Sequence, residues 1–99
     1  MNIQAMMKQA QQMQKQMLKT KEEIDNTTFT GESSLVKVEV NGKKEVLRVN
    51  ISTDNDFSSE DMEMLEDMLL VAINDAMKQV DEMTEKKLGK FTQGMPGLF

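Results

Sequence analysis

The sequence predicts an α+β domain of order α-β-β-β-α, two long helices flanking a small antiparallel sheet of three strands. Three observations carry this. Apolar residues between Ile3 and Ile24 recur every three or four positions, the spacing of a helix face. Between residues 35 and 51 the spacing changes to two, around Asn41-Gly42. Residues 58–88 then return to helical spacing with neither glycine nor proline. The 99 residues read as one domain, with a helix over 1–26, a sheet over 27–52, a long helix over 58–88 and a Gly/Pro tail over 89–99. The core of such a chain is thin, so association with a second copy is the natural remedy.

In the first helix Ile3, Met6, Ala10, Met13, Met17, Thr20 and Ile24 form a 3-4-3-4 seam like that of a coiled coil. Asn2 reads as the N-cap and Asn26-Thr27-Thr28 as the end. At 100° per residue, Lys8, Lys15 and Lys19 fall within about 40° of one another, nearly opposite the seam. Gln12 joins them, and Lys21 lies near the seam's edge. Residues 1–21 contain no acid at all. A lysine face is most often only solvated, but an ordinary solvated helix mixes signs, and this one does not.

Thr28-Phe29-Thr30 predicts a short strand ended by Gly31. Leu35 to Val40 and Glu45 to Ile51 alternate, which predicts a hairpin. A four-residue loop, Asn41 to Lys44, sets Val38 opposite Leu47 and Val36 opposite Val49; a tighter turn sets Val38 opposite Glu45. Either register puts Val36, Val38, Leu47, Val49 and Ile51 on one face, which a helix must cover.

The long helix predicts a cap at Ser58, a Phe57–Met62 staple and a stop at Gly89. Its main apolar face is Met62, Leu65, Leu69, Ala72, Ile73, Ala76, Met77, Val80 and Met83. Glu60, Asp67, Asp81, Glu82 and Glu85 lie opposite. Met64, Met68 and Val71 form a second apolar line. Scattered exposed methionines account for it almost as well, but apolar lines on two sides suit two neighbours: the chain's own sheet and a second subunit. Lys86, Lys87 and Lys90 make a second basic cluster. Phe91, Leu98 and Phe99 in the tail are able to tether it to a groove; otherwise it is a frayed end, the default for a terminus.

Composition removes most chemistry. With no His and no Cys there is no common general base, thiolate nucleophile or zinc ligand set, so no catalytic site, metal or cofactor is expected. No glycine-rich phosphate loop follows a strand, and Asp54-Asn55-Asp56 runs into Phe57 rather than through a calcium loop. The longest purely apolar run, Met68 to Ile73, is six residues, too short for a membrane span. The N-terminus lacks a signal-peptide core, which predicts a cytosolic protein. Net charge is −5, yet residues 54–85 hold eleven acids against Lys78 alone. The asymmetry says more about partners than the total does.

Taken together, Met6 to Gln14, Thr30-Gly31-Glu32-Ser33 with Leu35 to Val38 and Asn41-Gly42, Glu63 to Asp67 with Ala72 to Ala76, and Met95-Pro96-Gly97-Leu98-Phe99 resemble the YbaB/EbfC family of small bacterial nucleoid-associated proteins. The resemblance covers nearly the whole chain. Where that family often has a glycine-rich run after Gly-Glu-Ser, this chain has Ser33-Ser34. The resemblance implies a tweezer-like homodimer that presents helical arms to double-stranded DNA with little sequence specificity. It also implies a cytoplasmic, nucleoid location and roles in chromosome organisation and gene regulation. No membrane and no small-molecule substrate are expected. The DNA-binding candidates are Lys8, Lys15, Lys19, Lys21, Lys86, Lys87 and Lys90; the dimer-interface candidates are Met64, Met68 and Val71. Neither basic cluster contains arginine, so guanine recognition by a bidentate fork is not expected of them. A competing reading is a prefoldin-like chaperone or adaptor, since Met-rich surfaces and an acidic rod suit promiscuous protein binding. A structural dimer without a ligand is a third.

Overall fold

A computed structural model describes residues 2–52 and 57–92; the Asp54-Asn55-Asp56 motif and the tail beyond Thr92 lie outside the described residues. The order is α1 (Ile3–Asp25), β1 (Phe29–Ser33), β2 (Val36–Val40), β3 (Val46–Ile51), a 3-10 turn (Ser59–Asp61) and α2 (Met62–Thr92). The molecule is long and thin, 72 × 20 × 14 Å, with a radius of gyration of 19.7 Å. A compact chain of this length would be near 13 Å.

Asn2 caps α1, its Oδ1 accepting from the Ala5 N–H at 3.2 Å. At the other end Asn26 N–H donates to the Glu22 carbonyl and Thr27 Oγ1 to the Glu23 carbonyl. The seam is buried only at this end. Ile24 is fully buried, Met17 and Thr20 are half-buried, and every residue from Asn2 to Gln16 is exposed. Most of the helix is therefore an arm that projects beyond the core.

The sheet has the order β1-β2-β3, antiparallel throughout. Strand β1 does not stop at Gly31 but runs through it to Ser33, and a two-residue turn with Ser34 at φ 52 leads into β2. Gly31 is buried because α2 crosses directly over it. A Cβ there would collide with the Ala72 carbonyl oxygen and sit 2.7 Å from the Ala76 N and 3.0 Å from its Cβ. Glycine on the strand and alanine on the helix together let two backbones touch.

The hairpin register differs from both expected ones. Val38 faces Val49 and Val36 faces Ile51. Two extra residues explain the shift. Asn41 builds a five-residue loop: its Oδ1 accepts from the Lys43 and Glu45 N–H groups at 3.0 Å each, and its Nδ2 donates to Glu45 Oε1. Lys44 closes the loop at φ 63. A bulge then leaves Leu47 unpaired, because Val40 faces Val46 while Glu39 faces Arg48.

Helix α2 covers β1 and β2 and does not reach β3. Val36, Val38 and Val40 are buried under Ala72, Ala76 and Val80, whereas Val46, Leu47 and Val49 stay about half exposed. The expected common apolar face is thus covered on one side only. Gln79 Nε2 fastens α2 to the sheet's edge by donating to the Thr30 carbonyl at 2.8 Å.

Helix α2 starts and stops later than expected. A 3-10 turn precedes it, in which the Asp61 carboxylate accepts from the Ser58 N–H at 3.0 Å and its Oγ at 3.2 Å. Ser58 and Asp61 form the reciprocal capping box around the expected N-cap, and the Asp61 N–H also bonds the Ser58 carbonyl at 3.0 Å. Gly89 does not end the helix, which continues to Thr92 and buries Leu88 and Phe91. Propensity at one glycine costs about 1 kcal/mol, less than burying a phenylalanine returns.

Candidate nucleic-acid interface

The direction of the arm is set where α1 ends. The Gly42 N–H donates to the Asp25 carbonyl at 3.3 Å, one of the carbonyls a helix end leaves without an intrahelical partner. A Cβ on Gly42 would collide with the Ile24 carbonyl and lie 2.8 Å from the Asp25 Cα. The hairpin loop is therefore a seat for the base of α1. A second fastening is the Lys44–Asp81 ion pair at 2.6 Å, from the same loop to α2.

On the arm, all the predicted lysines are exposed: Lys8, Lys15, Lys19 and Lys21. Lys8 and Lys15 share a shallow groove with Gln11, Gln12, Gln14 and Leu18. Lys15 and Lys19 share the next with Gln12 and Gln16. Along the helix axis these lysines span about 16 Å. The structure thus brings Lys8, Lys15 and Lys19 together as the helical spacing predicts.

The second cluster divides. Lys86, Lys87 and Lys90 are all exposed, but Lys90 lies against the arm, in a cleft with Gln9, Gln12, Met13, Gln16 and Phe91. Its Nζ is 5.1 Å from the Phe91 ring centroid. Gln12 borders this cleft and both lysine grooves, so it links Lys90 to the α1 face. Nothing in the spacing of α2 alone could reveal this, since it arises from how the two helices pack. Among the described residues, none of these lysines forms an ion pair; the pairs present are Lys37–Glu32 and Lys44–Asp81. Among the described residues these seven ammonium groups have no carboxylate partner.

The predicted interface residues also fall together. Met64, Met68 and Val71 line a groove with Ser33 and the acids Glu60, Glu63 and Asp67. Met64 and Val71 are exposed, while Met68 packs partly on the chain's own core. A second apolar surface went unforeseen: Val46, Leu47 and Val49 on β3, at the sheet edge farthest from Ser33 and β1. Among the described residues there is no cluster of three or more carboxylates able to hold a metal ion, and no helix long and apolar enough to cross a membrane.

A family model described as the YbaB/EbfC DNA-binding family matches residues 1–95. A nucleoid-associated protein of Lactococcus lactis subsp. cremoris is 52% identical over 98 residues, covering 97% of this chain and 98% of its own. One from Streptococcus thermophilus is 46% identical with the same coverage, and one from Clostridium novyi 45% identical over 103 residues, covering 100% of this chain and 90% of its own. The crystal structure of an uncharacterized protein from Helicobacter pylori superposes with a TM-score of 0.73 at 25% identity, covering 92% of this chain and 97% of that one.

Proposed function

The chain belongs to the YbaB/EbfC DNA-binding family, and from that membership we propose that it is a nucleoid-associated protein that binds double-stranded DNA with little sequence preference. It contributes to chromosome organisation and gene regulation in the bacterial cytoplasm, and it is architectural rather than catalytic.

The observation that carries the site is the exposed lysine face on the projecting α1, which pairs with no carboxylate among the described residues, with Lys8, Lys15 and Lys19 at its centre and Lys90 beside it. Ammonium groups on a straight helix meet phosphates without reading base edges. Lys21, Lys86 and Lys87 add to the field at the margins, where Glu82 and Glu85 oppose them.

The functional unit is a homodimer. Its support is the apolar surface the protomer leaves open, both the Met64–Met68–Val71 groove and the uncovered half of the sheet at Val46 and Val49. A dimer offers six lysines from the two α1 faces. If all six neutralise phosphates, log affinity should fall against log salt with a slope of about −5, or roughly 10³-fold between 50 and 200 mM salt. The chaperone-like alternative rests on the same methionines, but it leaves the segregation of lysine on α1 without a purpose.

The test is a fluorescence-anisotropy titration with unrelated duplexes at two or more salt concentrations. The variant replaces Lys8, Lys15 and Lys19 together by Glu, with circular dichroism to verify the fold. Binding should be lost with helicity unchanged. A triple variant that binds like the original chain would refute the assignment of the site.

A further inference from the structure

We infer that α1 lies in the major groove with a modest preference for A·T pairs, read by Gln11 and Gln12 with Leu18 beside them. This readout rests on the DNA-binding reading above and gives a role to residues that the lysines alone leave without one. Lys8 and Lys15 are about 10 Å apart along the helix axis. The groove they share is also lined by Gln11, Gln12 and Leu18. At 100° per residue, Gln11 and Gln12 stand about 50° to either side of the Lys8–Lys15 line, and about halfway along it. Both are exposed, and among the described residues neither carboxamide hydrogen-bonds another group of the chain.

Leu18 is the residue that packing does not explain. It is 59% exposed. It lies about 100° round the helix from the apolar seam, in line with Gln11 seven residues before it. Glutamines on a helix are often only solvated, but a leucine on a solvated face gives the fold nothing. Its place in the lysine groove gives it a neighbour only when a ligand fills that groove.

The shape and chemistry of the groove identify what is read. A helix about 10–12 Å across enters the major groove, about 12 Å wide, and not the minor groove, about 6 Å wide. Helix α2 lies on the Gln9, Met13 and Lys90 side of the arm, which leaves the side with Lys8 and Lys15 clear. Lysine ammonium groups on long stems swing outward to the phosphates at the rims. The shorter Gln11, Gln12 and Leu18 then face the base edges. A carboxamide matches adenine there, where a donor amine stands beside an acceptor nitrogen, and an aliphatic side chain meets the thymine methyl. Both belong to the A·T pair. The groove holds no carboxylate to accept from cytosine and no arginine to fork onto guanine. From Gln11 to Leu18 is about 10 Å, or about three base pairs at about 3.4 Å each. So short a readout yields a preference of about fivefold, far below the about 10³-fold at which site-specific proteins begin.

The test is competition anisotropy at one salt concentration with duplexes of equal length. One is rich in A·T without A-tracts, one is rich in G·C, and one is the A·T duplex with 7-deazaadenine for adenine. The last removes the major-groove acceptor nitrogen and leaves the minor groove as it was. The original chain should bind the first about fivefold more tightly than either of the others. Gln11→Ala with Gln12→Ala should bring both ratios below about twofold and leave the salt slope unchanged, because no charge is removed and alanine keeps the helix. Uracil in place of thymine should cost the original chain about twofold and the Leu18→Ser variant nothing. Equal affinity for the A·T and G·C duplexes, a preference that survives the double glutamine change, or indifference to 7-deazaadenine would each overturn the proposal. If salt-dependent binding persists in those cases, the lysine assignment stands and the readout alone falls. Absence of binding to every duplex would overturn the DNA-binding reading, and this readout with it.

Discussion

Two glycines in this chain should respond to alanine in opposite directions. At Gly31 the added methyl meets the Ala72 carbonyl and the Ala76 backbone nitrogen, 2.7 Å away. These are backbone atoms of a helix held at many points, so neither can swing aside. Relief requires α2 to lift from β1, which also separates Val36, Val38 and Val40 from Ala72, Ala76 and Val80. Overpacking of this kind costs about 1–3 kcal/mol, and backbone obstacles place Gly31→Ala at the upper end, about 3 kcal/mol. At Gly89 an added methyl meets nothing within 4 Å, and the residue lies inside a regular helix. Gly89→Ala should therefore stabilise by about 0.5–1 kcal/mol through helix propensity. In a chain of this size 1 kcal/mol moves Tm by about 4–8 °C. Thermal and urea unfolding followed by circular dichroism, at one fixed protomer concentration, should show Gly31→Ala lowered by about 12–24 °C and Gly89→Ala raised by a few degrees. The packing account of the α2–β1 contact is refuted if Gly31→Ala unfolds within 1 kcal/mol of the original chain.

Other outcomes follow from the same geometry. Lys90→Glu alone should weaken DNA binding more than Lys86→Glu, since Lys90 lies beside α1; anisotropy at low salt compares them. Replacing Lys86, Lys87 and Lys90 together should still cost less than the triple change on α1. Val71→Glu and Val49→Lys should each shift the chain toward monomer in sedimentation equilibrium while leaving its helicity intact; Met68→Glu also weakens association, but Met68 packs on its own core and the fold suffers with it. Asp81→Ala removes the partner of Lys44, but both groups are more than half open to solvent or nearly so, and unfolding should move by less than about 0.5 kcal/mol. Elemental analysis of protein purified without added metal should find no stoichiometric zinc.

The periodicities made the element order and the lysine face legible. Lys8, Lys15 and Lys19 lie on a helix that packs on nothing at that face, so helical geometry alone decides their grouping. The errors came where a contact distant in sequence overrides a local preference. Gly89 is a good helix stop until Phe91 finds a buried site. Gly31 reads as a strand breaker until Ala72 and Ala76 require it. The hairpin register was missed because the Asn41 side chain and the Leu47 bulge each insert a residue that alternation does not record. The exposure of β3 was invisible, because apolar alternation says which face of a strand is apolar and not how wide the covering helix is.

The core joins strands completed by residue 51 to a helix that begins at residue 62 and ends at residue 92. On a ribosome the meander is therefore synthesised before its cover. Some forty residues separate the end of β3 from the end of α2, which is about 2–8 s of translation at ordinary rates. Through that interval the strands Phe29–Ser33 and Val36–Val40, which α2 later covers, have no helix above them, and β-rich apolar stretches left open are where chains stick to one another. The charges on alternate positions, Lys37, Glu39 and Arg48, contribute little to the finished fold. Their worth lies earlier, as gatekeepers that keep a nascent sheet soluble until α2 arrives.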